Sequence, residues 1–89
     1  MKIKKGFVLR TVMGQNIILA EGENADTYGK LIKLNSSAAM LWKGLKGKSF
    51  TVEDAARILV SKYGIDKTQA LADAGDIINL MSEKGLLEQ

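Results

Sequence analysis

The sequence predicts an α+β domain in which three antiparallel strands precede three helices, in the order β-β-β-α-α-α. Three observations carry this prediction. The segment "GFVLRTVMGQNIILAE" alternates and is rich in strand-forming residues, with a glycine in its middle. The segment "LIKLNSSAAMLW", residues 31–42, changes period partway along, from a short apolar strand to a helix. Two later segments open on capping residues and close on glycines. Two short helices and a longer third beside a small sheet give a winged helix-turn-helix-like arrangement with its sheet placed first.

In the first segment, Phe7, Leu9, Thr11 and Met13 fall on one strand face, and Val8, Arg10 and Val12 on the other. Gly14-Gln15-Asn16 supplies the turn, and Ile17-Ile18-Leu19 begins the second strand. Residues 22–30, "GENADTYGK", hold two glycines and no period, and read as a loop. Leu31 to Leu34 forms the third strand, with Ile32 and Leu34 facing the core and Leu31 and Lys33 facing out. A sheet this small needs helices to cover it.

The first helix runs from about Ser37 to Leu45, capped by Asn35, Ser36 or Ser37, with Gly47 beyond its end. Ala38, Leu41, Trp42 and Leu45 recur at helical spacing, which makes Trp42 a core residue rather than a stacking platform. Thr51 stands three residues before Asp54, a variant of the capping box, and starts the second helix. Ala55, Ile58, Leu59 and Tyr63 form its buried stripe before Gly64. The third helix opens at Asp66, with Gln69 three residues on, and continues to Lys84 before Gly85. Leu86 and Leu87 follow as a short apolar tail. No repeat or linker divides the chain, so residues 1–89 read as one domain.

Composition excludes several function classes. The 89 residues contain neither cysteine nor histidine. Disulfide scaffolds, thiolate zinc sites, cysteine nucleophiles and imidazole bases are therefore absent. No convergent carboxylate pair replaces them, and the reading is of a protein that is not an enzyme and needs no cofactor. Gly14, Gly22 and Gly29 lack the company of a phosphate loop. Asp73 and Asp76 lie three apart on a helix without a third ligand, and read as a solvated face rather than a metal site. The basic start "MKIKKGFVLR" resembles a secretory signal, but Arg10 interrupts its apolar stretch and no small-residue cleavage site follows. No run approaches the roughly 18–20 apolar residues that cross a bilayer. A cytoplasmic location is expected.

Charge is modest in sum and uneven in place. The net charge is +3. Lys2, Lys4, Lys5 and Arg10 crowd the start, and Lys43, Lys46 and Lys48 the middle. From Asp66 onward the acids Asp66, Asp73, Asp76, Glu83 and Glu88 outnumber Lys67 and Lys84. On the third helix, Leu71, Ala74, Ile78 and Met81 span an arc of about 80°. Ala70 and Ile77 widen the apolar arc, and Leu80 lies further round beside Asp73 and Lys84. The apolar arc approaches about 180°, more than a helix burying one face requires. The surplus (Ala70, Ile77 and Leu80) is what a groove wall looks like.

The stretches "LNSSAAMLWKGL", "FTVEDAARILVSKYGID" and the closing "GLLE" resemble the PqqD family, the small proteins of pyrroloquinoline quinone biosynthesis. Related domains recognise the precursors of ribosomally made, modified peptides. The likeness runs from Leu31 to Glu88, and the order and spacing of its elements carry it. It implies a peptide chaperone without catalysis. Such a protein binds the leader of a precursor peptide and presents it to a modifying enzyme, often a radical S-adenosylmethionine enzyme. It also implies that the leader adds as a strand beside the third strand, in the groove toward the third helix. The peptide-binding set carried over is Leu31, Ile32, Lys33, Leu34, Ala70, Asp73, Ile77, Leu80 and Lys84, with Lys33 and Lys84 available to acidic leader positions. Alternatives are a winged-helix DNA-binding regulator and a structural subunit of a larger enzyme. The acidic third helix, at a net −2 from Asp66 to Lys84, opposes the first of these.

Overall fold

The computed structural model describes residues 1–20 and 32–88. The "GENADTYGK" loop and Leu31 lie outside the described residues. The strands are β1 (Lys2–Ile3), β2 (Phe7–Val12), β3 (Gln15–Ala20), β4 (Ile32–Leu34) and β5 (Leu87–Glu88). The helices are α1 (Ser36–Leu45), α2 (Val52–Tyr63) and α3 (Lys67–Glu83). The expected three-stranded antiparallel sheet is present in the order β2-β3-β4, followed by the three helices.

Register explains what the sheet buries. Phe7 opposes Ala20, Leu9 opposes Ile18, and Ile18 in turn opposes Ile32. This face lies on the helices, where Phe7, Ile18 and Leu34 are buried. Thr11 and Met13, which follow Phe7 and Leu9 at the same spacing of two, are exposed. The β2–β3 hairpin projects past the helices, and Met13 sits at its tip, 96% exposed.

The turn differs from the one expected at Gly14-Gln15-Asn16. Val12 pairs with Gln15, so Met13 and Gly14 alone make the connection, at φ 51 and 77. Two positive φ values in a two-residue loop are the mark of a type I′ turn, whose twist suits the flanking strands. Asn16 is thereby within β3, and its Oδ1 accepts from the Thr11 hydroxyl across the ladder at 3.1 Å.

Each helix begins on a side-chain cap. Asn35 Oδ1 accepts from the Ala38 N–H at 2.8 Å, so α1 begins at Ser36. Thr51 and Asp54 form the full reciprocal box, with the Asp54 N–H on Thr51 Oγ1 at 3.2 Å and the Thr51 N–H on Asp54 Oδ2 at 2.9 Å. Asp66 Oδ1 takes the Gln69 N–H at 2.8 Å. Gly44 lets α1 and α2 approach closely, since a Cβ there would stand 3.0 Å from Ile58 Cδ1. Trp42, Leu41, Leu59 and Met81 are almost fully buried where the helices meet the sheet. Tyr63, expected in the buried stripe of α2, is 49% exposed. It is the last residue of the helix, beyond the reach of the core.

The apolar tail also does more than expected. Gly85, at φ 74, turns the chain out of α3, with its N–H on Ser82 O at 3.0 Å and the Leu86 N–H on Met81 O at 2.9 Å. This pair of bonds is a Schellman motif, and the buried Met81 and Leu86 supply its usual apolar contact. The chain then pairs as β5 with β1, Leu87 opposite Ile3 and Glu88 opposite Lys2. The Lys4 N–H on Leu86 O at 2.9 Å extends this ladder.

Candidate functional site

β4 presents two different surfaces. Leu34 is buried toward the helices, Ile32 is partly so, and Lys33 between them is exposed. The strand pairs with β3 through Asn16–Leu34, Ile17–Lys33 and Ile18–Ile32. Among the described residues, nothing pairs with its other side. A strand edge of this kind carries unsatisfied N–H and C=O groups in a repeating pattern.

Where β4 gives way to α1, a hollow of about 480 Å³ opens. Asn35 and Ser37, at the start of α1, line it together with Asp73, Asp76 and Ile77 of α3. Leu59 of α2, with Tyr63 and Ile65 from the α2–α3 junction, completes the lining. The hollow exists because Asn35 stops the strand to cap α1, while Gly64 ends α2 and turns the chain toward Asp66.

The residues expected at the site are thus only partly gathered. Asp73 and Ile77 line the hollow at the end of β4. Ala70 is fully buried, spent on packing within the helices. Leu80 is 37% exposed and Lys84 is exposed at the helix end, and neither lines this hollow. Leu31 lies outside the described residues. Sequence reasoning missed Asn35, Ser37, Leu59, Tyr63, Ile65 and Asp76 as wall residues. The signal for Asp76 was its spacing of three from Asp73, which puts both carboxylates on one helix face.

Electrostatically the hollow is acidic. Asp73 Oδ1 accepts from Gln69 Nε2 at 2.9 Å, which steers that carboxylate along the helix. Neither Asp73 nor Asp76 meets a cation among the described residues, where Arg57–Asp54 at 3.4 Å is the ion pair found. Among the described residues, no three histidine, cysteine or acidic side chains gather to hold a metal. No helix among them is long and apolar enough to cross a membrane.

Comparison with known proteins adds to this geometry. The family model for coenzyme PQQ synthesis protein D (PqqD) matches residues 15–87. No curated protein matches the chain. Among solved structures, "TbiB1 in Complex with the TbiA(beta) Leader Peptide" is 22% identical, with a TM-score of 0.75 over 99% of this chain and 95% of that one. "Lasso peptide synthetase B1 complexed with the leader peptide" is 19% identical, with a TM-score of 0.74 over 99% of this chain and 96% of that one. At these identities the two structures establish a shared fold.

Proposed function

Because the chain belongs to the PqqD family, we propose that it is a non-catalytic adaptor that binds the leader of a ribosomally made precursor peptide by strand addition along β4. The observation that carries this reading is the edge of β4 with which nothing among the described residues pairs, with the hollow walled by α3 at the strand's end. An extended peptide laid there completes the hydrogen bonds of the edge through its own backbone, and alternate side chains turn toward the helices. Both solved proteins of the same fold are complexes with leader peptides, which supports the same use here. Main-chain bonds and apolar contact supply most of the affinity, because solvent-exposed ion pairs contribute only about 0–1 kcal/mol each.

The adaptor then presents the bound leader to a peptide-modifying enzyme, with a radical S-adenosylmethionine enzyme as the family's usual partner. The test is an amide-shift titration of the labelled chain with a leader taken from a short precursor reading frame beside its gene. The expected shifts concentrate on residues 32–35 and on α3. Shifts confined to other surfaces, or none at millimolar leader, defeat the proposal. The rival duplex-binding role requires α3 to enter a major groove. Within that helix, Asp73, Asp76 and Glu83 face a single lysine, Lys67, and phosphates repel such a helix.

A further inference from the structure

The hollow at the end of β4 differs in charge from three others among the described residues. Those three each carry at least two cations. Arg57 and Lys67 line one, Lys43, Lys48 and Lys62 a second, and Arg10, Lys43 and Lys46 a third. Among the described residues the hollow beside Asn35 carries none, and holds the Asp73 and Asp76 carboxylates instead. On a chain of net charge +3, the one of these four hollows that is lined by Asn35, the residue that follows β4, and by α3 is the acidic one.

Its remaining walls are suited to a long side chain with a charged end. Leu59, Ile65 and Ile77 offer apolar surface to a methylene stem, and the half-exposed Tyr63 ring offers a face for a cation. We propose that this hollow selects a peptide bearing an arginine or lysine at the position that meets α3. The stem packs on Leu59, Ile65 and Ile77, and the cationic head is held by Asp73 and Asp76. This inference rests on the strand-addition reading and gives it a sequence preference. It reverses the expectation that leader acids pair with Lys33 and Lys84, since neither lysine lines the hollow.

The test is a display selection of random dodecapeptides on the full chain at about 0.1 M salt, where surface charges still act over roughly 10 Å. Enriched peptides are expected to share an arginine or lysine at a fixed place among strand-forming residues. Replacing that residue by norleucine weakens binding to the native chain about tenfold, and the double variant Asp73→Asn, Asp76→Asn loses the same factor for the unaltered peptide. Glu83→Gln, which removes an acid outside the hollow, leaves affinity unchanged. N-methylation of alternate peptide amides abolishes binding, as strand addition requires. Peptides that respond to N-methylation but lack a basic preference, prefer acids, or ignore the norleucine exchange overturn this inference and leave strand addition standing. A selection that enriches nothing, or enriches peptides indifferent to N-methylation, overturns both.

Discussion

The three-stranded sheet has two outer strands, and the molecule treats them differently. β2 is six residues long and guarded. Lys46 donates from Nζ to Phe7 O at 3.0 Å while lying 6.0 Å from the centre of the Trp42 ring. Arg10 and Lys43 line one hollow with Lys46 and the β2 residues Val8 and Leu9. β4 is three residues long, has no such donor among the described residues, and stands beside an acidic hollow. Charged side chains along one edge oppose unwanted pairing, and a short open edge beside a groove admits it selectively. The difference fits the proposal that a fourth strand adds along β4 and not along β2.

The largest expected effect tests whether β4 is held from one side only. Leu34→Ala should cost about 2–4 kcal/mol in urea unfolding, because Leu34 is the buried anchor of the strand. Lys33→Ala, one residue away on the open face, should stay within about 0.5 kcal/mol. Equal effects would mean that β4 is not the one-sided strand described. Next, Lys46→Met should cost about 1 kcal/mol and raise self-association in sedimentation velocity, since it strips the donor from the β2 edge. Unchanged association would leave the two edges equally protected.

The smallest effects serve as a control remote from both edges. Thr51→Ala should cost about 1 kcal/mol through the lost α2 cap without changing edge behaviour. Its partner Asp54 has a carboxyl held below the usual carboxylate range, chiefly because the Thr51 backbone N–H bonds its ionised form, with the Thr51 hydroxyl and Arg57 adding to this. A depressed folded value means that this contribution is present above the ordinary carboxylate range and lost as pH falls through the lower folded one. Asp54→Asn should therefore flatten the acid limb of a stability–pH profile, and an unchanged limb would contradict the capping role.

Local chemistry was the legible part of this fold. Asn35, Thr51 with Asp54, and Asp66 each announce a helix start because the bond they make spans three residues. The hairpin was legible but its turn was not. Asn16 is a turn-forming residue used inside a strand, while Met13 adopts a positive φ that its side chain disfavours. The β1–β5 pair was invisible, since two residues at one end of the chain meet two at the other. The site divides the same way. That β4 forms and stops at Leu34 follows from the period change at residues 31–42, whereas its use as an edge came from the family resemblance. The hollow depends on how three helices converge, and so Tyr63 and Ile65 emerge only in three dimensions.

The β1–β5 clasp has a consequence for how the domain can be carried. Ile3 and Leu87 stand on adjacent strands, about 5 Å apart. The polypeptide therefore passes in and out of the fold through a single doorway. A host protein can accept the whole unit as a graft in a surface loop without prising its own halves apart. A short bridge across the doorway likewise permits new termini elsewhere, and the projecting Met13–Gly14 tip offers the place to cut.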